Sequence, residues 1–307
     1  MAGLSVSSLD TPTSPPKRRA FSLDRITAWV WAGPAILFLL IYLVWPMLNT
    51  IWNSFYNFDS TTFVGLKNYQ FIFTSPSMLI VLRNNVLWLI FATIFTVLLG
   101  LIIAVLVDRV KIESVVKSAI FIPMAISFVG ASVIWLFVYA YQVKGLPQFG
   151  LLNAIITGLG GSPVAVLQTD SINNFGLIVI YVWMWTGFCM TILSAALKSI
   201  PADLMEAARV DGANEFQIFF RIIVPMISPT IAVVVTTMFI NVLKIFDIIY
   251  ATTGRAYDTS VVAMQYYNEF FNFNNNGIGN ALAVILLVAV VPIMIINLRR
   301  FRAQEAR

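Results

Sequence analysis

Residues that could do chemistry are scarce in this chain. Its 307 residues include no histidine, so the usual proton relay, metal ligand and general base is missing. No G-x-x-x-x-G-K-[ST] run occurs, so no phosphate cradle of that kind is built. The glycine-rich GLGGSP at 158–163 lacks the lysine and reads as a turn. Cys189 is the single cysteine, which excludes an intrachain disulfide and a thiol metal site and leaves a small buried hydrophobe. The 14 carboxylates lie nearly all between apolar runs. Two charged groupings remain: a stretch from Asp203 to Arg221, with Glu206, Arg209, Asp211 and Glu215, and the pair Lys244 and Asp247. Neither is a constellation for catalysis, and no cofactor or metal is expected on this chain.

The elements around these groupings are apolar. Hydrophobic residues make up 59% of the chain and charged ones 11%, against roughly 25% charged in soluble domains. A helix needs about 20 apolar residues to cross the hydrocarbon core. Six runs qualify, near 27–48, 86–107, 118–140, 175–197, 227–250 and 281–298. The expected fold is an all-α membrane protein of six transmembrane helices. Residues 1–25, Ser/Pro-rich and then basic, read as a disordered cytoplasmic tail ahead of a membrane domain at 26–307.

Orientation follows from the basic residues. The tail, the segment after the second run, the charged stretch with Lys198 just ahead of it, and the C-terminal end together hold 14 of the 19 lysines and arginines. The positive-inside rule assigns that side, and with it both termini, to the cytoplasm. Tryptophans and tyrosines gather toward the opposite ends of the runs, as expected at headgroup depth. The net charge of +5 is therefore a topology signal, and no nucleic-acid partner is implied.

The charged stretch "PADLMEAARVDGANEFQIFFRIIVPMISP" (201–229) lies between the fourth and fifth runs. Pro201 suits the first turn of a helix, and Asp203 and Glu206 favour the positive end of its dipole. ADLMEAARV consists of good helix formers. Asp211-Gly212 signals a turn that glycine enters without penalty, and Asn214 is a candidate cap for the helix that resumes. Pro225 and Pro229 mark the return to lipid. The product is a helix-turn-helix elbow on the cytoplasmic face. Leu204, Ala207, Ala208, Phe216, Phe219 and Phe220 supply an apolar side that either binds a partner or packs on the chain's own helices.

Glu206-Ala207-Ala208, then Gly212, then Ile222, Val224 and Pro225 resemble the spaced EAA…G…I-x-L-P pattern of permease subunits of binding-protein-dependent ABC importers, with valine at 224 for the usual leucine. FVGLKNYQFIF (63–73), LRNNVLWLI (82–90), GLLNAI (150–155) and KIFDIIYATTG (244–254) are similar to the sugar-permease branch, the maltose and glycerol-phosphate type. FIPMAISFVGASVIWLFVYAY (121–141) is similar to permeases for α-glucosides and glucosylglycerol. The resemblance implies an importer core over about 82–300 in a bacterial cytoplasmic (inner) membrane. It implies that the elbow is the coupling helix, with Glu206, Ala207, Ala208, Gly212, Ile222 and Pro225 engaging an ATPase. It also implies a second homologous permease, two ATP-binding subunits that hold ATP and Mg, and an extracytoplasmic solute-binding protein. The family's usual Gly-Gly-Pro is replaced here by Gly254-Arg255-Ala256.

A charge at the centre of a span costs about 2.5–3.5 kcal/mol on insertion scales and usually faces the interior. Lys244 and Asp247, three apart on the fifth run and about 4.5 Å apart along a helix axis, form either an intramembrane ion pair or a polar lining with Asn241. Trp183, Trp185 and Tyr139 are the aromatics that would meet a sugar's apolar faces, or else pack and belt the interface. Outer segments 52–82, 142–174 and 252–280 exceed simple turns. GLLNAIITGL reads as a short surface helix and NFNNNGIGN (272–280) as a loop. The alternative function is a stand-alone secondary transporter or channel for a polar solute, which the elbow and the missing proton relay disfavour.

Overall fold

The computed structural model describes residues 23–108, 110–254 and 256–305. Regular elements among them are helical, with one isolated antiparallel bridge between Tyr56 and Phe63. The chain divides into two compact units, 1–49 and 50–307. In the first, α1 (Leu23–Leu39) contains Pro34 and passes through a π-helical turn, Leu40–Val44, into α2 (Trp45–Asn53), whose last four residues belong to the second. The Trp45 N–H bonds Leu40 O, five residues back, directly before Pro46. Proline lacks an N–H and its ring crowds the carbonyl four back, so a widened turn absorbs the misfit. Up to residue 22 the expected tail lies outside the described residues, and the helix already begins at Leu23.

In the second unit α3 (Lys67–Thr74) leads to α4 (Pro76–Val107), which opens on a proline where a missing donor does no harm. Next come α5 (Glu113–Phe121), a 3-10 turn at Ile122–Ala125, α6 (Phe128–Val138), α7 (Leu151–Gly158) and α8 (Asn173–Lys198). The elbow consists of α9 (Ala202–Val210) and α10 (Glu215–Ile218), continued by α11 (Val224–Leu243). Short α12 (Asp247–Ala251) and α13 (Val262–Tyr267) precede α14 (Asn276–Glu305).

Among the described residues, four or five of the expected spans are long and apolar enough by themselves. Val30–Asn53, Pro76–Val107, Asn173–Lys198 and Glu215–Leu243 are long and apolar enough to cross a membrane, and the bent α5–α6 pair makes five if it is one span. The third expected span is broken: α6 leaves α5 at 101°. Pro123 removes a donor there, Ile126 and Ser127 turn extended (ψ 141° and 151°), and Ser127 Oγ accepts the Gly130 N–H to start a new helix. The last run is helical throughout, within α14, and the sequence stays apolar to Leu298. NFNNNGIGN is not all loop, because α14 already starts at Asn276.

The fifth run also ends early. Its helix stops at Leu243, where the Lys244 N–H closes on Asn241 O at 3.3 Å, and Phe246 at φ −141° leads into α12. Lys244 and Asp247 therefore share no helix. Both are exposed, and among the described residues no ion pair joins them. At a helix break each charge reaches its own polar surroundings without needing the other.

Lipid offers no hydrophobic drive between helices, so close packing must hold them together. On α4, a side chain at Gly100 would put its Cβ 2.5 Å from Cys189 Cβ on α8. Gly187 stands as close to Ile120 O of α5, with a Cβ there 2.5 Å away. Around Cys189 are Ala104, Met190, Leu193, Val234 and Met238. Nearer the other end of α8, Trp88, Tyr181, Ile178, Ile248 and Ile249 form a second buried cluster.

Candidate functional site

The elbow is shaped by two local devices. After α9, the Ala213 N–H bonds Ala208 O at 3.0 Å and the Gly212 N–H bonds Arg209 O at 3.1 Å. This pair of bonds is the Schellman closure, and it requires a left-handed residue between them. Gly212 supplies it at φ +82°, with open space where a Cβ would stand. Asn214 then opens α10 with a capping box: its side chain accepts the Gln217 N–H, and the Gln217 side chain accepts the Asn214 N–H. Pro201 stands one position earlier than expected, as the residue that caps α9.

Arg209 Nε donates to Glu215 Oε1 at 2.8 Å across this turn. The Glu215 carboxylate, with a smaller contribution from Glu206, holds the guanidinium pKa above its ordinary value. Beyond α10 a π-helical turn, Phe219–Ile223, ends with the Val224 N–H on Phe219 O, again immediately before a proline. Ile222 is half-buried within it and Pro225 is exposed. Glu206, Ala207 and Gly212 are exposed, whereas Ala208 is buried. The apolar side expected here is thus split. Ala208 and Ile218 turn inward, while Phe216 and Phe220, 71% and 53% exposed, meet ring to ring at 4.5 Å.

The residues expected along a substrate path fall into two places. Trp135, at 5.9 Å from Trp183 and 5.1 Å from Tyr139, gathers two of them. Tyr139 donates its hydroxyl to Gly176 O at 3.0 Å, so that hydroxyl is engaged in packing. Trp183 lines a largely apolar cavity of about 750 Å³ with Phe95, Pro123, Trp135 and Thr186. Trp185 stacks on Tyr181 at 6.1 Å and meets Phe128 at 6.4 Å. Asn241, half-buried, and the exposed Lys244 and Asp247 sit instead at the break that ends α11.

Sequence reasoning missed an amide network opposite the elbow. Asn84 Nδ2 donates to Asp258 O at 2.6 Å and Ser260 O at 3.0 Å, Asn85 Oδ1 accepts the Val262 N–H, and Asn173 Nδ2 donates to Tyr257 O. Trp88 Nε1 donates to Asn174 Oδ1 at 3.2 Å. Together they pin a segment whose Tyr257 and Asp258 are both left-handed. The adjacent asparagines at 84–85 and 173–174, each at the edge of an apolar run, were the available signal.

Residues 96–303 match the family described as "Binding-protein-dependent transport system inner membrane component". The chain is 58% identical over 276 residues to the osmoprotective compounds uptake permease protein GgtC of Synechocystis sp., covering 90% of this chain and 99% of that one. It is 46% identical to the alpha-glucoside transport system permease protein AglF of Rhizobium meliloti, covering 90% and 82%. A crystal structure of a bacterial alginate ABC transporter in complex with an alginate pentasaccharide-bound periplasmic protein contains a chain of the same fold, with a TM-score of 0.76 at 22% identity over 89% of this chain and 93% of that one. The chain belongs to the family of binding-protein-dependent transport system inner membrane components, the permeases of ABC transporters.

Proposed function

We propose that this permease is one half of the membrane path of an ATP-driven importer for a sugar or sugar-like osmolyte. The observation that carries the reading is the elbow. A Gly212 turn closed by Arg209 and Glu215 presents an exposed aromatic pair, Phe216 and Phe220, on a chain that carries no phosphate loop of its own. Such a surface fits a groove on a separate ATPase subunit, whose ATP and Mg drive the cycle. The names of the two relatives support the substrate class. The distribution of basic residues supports both termini, and the elbow, on the cytoplasmic side. Counting the bent α5–α6 pair and α14 as spans gives six.

A second homologous permease would complete the path, and an extracytoplasmic binding protein would deliver the solute. Trp183, Trp185, Tyr139, Asn241, Lys244 and Asp247 remain the proposed lining. ATP-driven closure of the ATPases would open the path outward, and release would return it inward, with no bond made on this chain. The test is purification of the tagged chain in mild detergent, with mass spectrometry of what accompanies it and uptake in vesicles. An ATPase and a second permease, both lost when Glu206 and Gly212 are replaced, support the reading. Recovery of the chain alone, moving solute without ATP, refutes it.

A further inference from the structure

At the elbow end of α8, one carboxylate holds two cations. Lys198, the last residue of α8, places Nζ 2.6 Å from Glu113 Oε1 and 2.9 Å from Oε2, with Asp108 Oδ1 at 3.8 Å. Glu113 also takes the ammonium of Lys117, one turn along α5, and Lys117 in turn donates to Ser194 Oγ, one turn before Lys198 on α8. Ser194 is 1% exposed, and the Glu113 and Lys117 side chains are 23% and 20% exposed. The group is neutral, and both helix dipoles favour it, since an acid opens α5 and a base ends α8.

Its position gives it a consequence. Only Ser199 and Ile200 separate Lys198 from the elbow's capping Pro201. Glu113 is the first residue of α5, and α5 runs directly to the break at Ile126 and Ser127. The two helices meet again where Gly187 touches the backbone at Ile120 and Phe121. A push on the elbow therefore reaches the last turn of α8 first, and Glu113 is the nearest rigid link from there to the broken span.

We infer that Glu113 is a positioning residue for coupling: by clamping Lys198 and Lys117 it makes α5 follow the elbow, so that movement of the ATPase shifts the break in the α5–α6 span. This rests on the importer reading above. Without the carboxylate, α8 would move against α5, and ATP would be hydrolysed with little solute moved.

The experiment uses the complete transporter in proteoliposomes and reads solute imported per ATP hydrolysed. ATP-dependent import by the unsubstituted complex is the control, and its absence refutes the importer reading alone. Given that control, Glu113→Gln is expected to keep ATP hydrolysis and to lower the transport ratio about tenfold, the scale of one lost charge-assisted hydrogen bond. Glu113→Asp, which keeps the carboxylate on the same helix position, is expected to recover part of the ratio, which a role in bulk packing alone would not require. An unchanged ratio in Glu113→Gln overturns the inference. Should that variant fail to assemble, Lys198→Gln is read the same way, and a normal ratio there overturns it equally.

Discussion

The Arg209 guanidinium and the Glu215 carboxylate meet at 2.8 Å across the one left-handed glycine of the elbow, so that an ion pair and a backbone turn close the same loop. The two contributions are unequal. Both side chains are about half exposed, and exposed pairs typically give about 0–1 kcal/mol. A left-handed residue other than glycine costs roughly 1–2 kcal/mol, and more when β-branched. Gly212→Val is therefore expected to abolish ATP-coupled import while leaving membrane insertion intact. Gly212→Asn, which tolerates that backbone region, should keep most of it, because no neighbour stands where the side chain would go. Arg209→Gln should leave the midpoint of thermal unfolding nearly unchanged, because the pair is solvent-screened. Equal import by the valine and asparagine variants would show that the turn is not the pivot.

Phe216 and Phe220 bury little within the chain, so their removal should not unfold it. Aromatic anchors at an interface centre typically contribute about 2 kcal/mol or more each, which is about thirtyfold in affinity. Phe216→Ser with Phe220→Ser is expected to insert normally and to lose the ATPase on purification. Undiminished recovery of the ATPase would assign the pair to lipid or to packing.

Asn84 reaches the 256–261 segment through two hydrogen bonds from a single amide. Both bonds are only part-buried, and losing two such hydrogen bonds costs about 1–3 kcal/mol. Asn84→Ala should therefore speed protease cleavage near Tyr257 and Asp258 in intact proteoliposomes. Protection equal to that of the unsubstituted chain would mean that the Asn173 bond to Tyr257 suffices.

Local chemistry was legible in the sequence, and breaks within lipid were not. Gly212 and Asn214 announce their roles by residue type, because a left-handed turn and a capping box draw on neighbours within a few positions. The apolar runs carry no such information. Residues 118–140 are apolar on all faces, so periodicity gives no warning of the extended backbone at Ile126 and Ser127. Lys244 and Asp247 were read on an unbroken helix for the same reason, and the helix ends at Leu243. Asn84 and Asn174 are 90 positions apart, and only the packing of α4 on α8 brings them together. Family resemblance carried the elbow's meaning beyond what its own residues decide.

Gly100 and Cys189 offer a probe of that packing. Cys189 is the only thiol in the chain and is fully buried against α4. A Cβ at position 100 would stand 2.5 Å from the Cys189 Cβ and 3.0 Å from the Met190 nitrogen, so one of the helices must shift. Overpacking of this kind typically costs about 1–3 kcal/mol. Gly100→Val is expected to lower the midpoint of thermal unfolding and to raise the reaction of Cys189 with a membrane-permeant maleimide. Gly158→Val serves as the control, because nothing lies within 4 Å of a Cβ there. Slow labelling retained in Gly100→Val, together with an unchanged midpoint, would mean that α4 and α8 do not meet at this glycine.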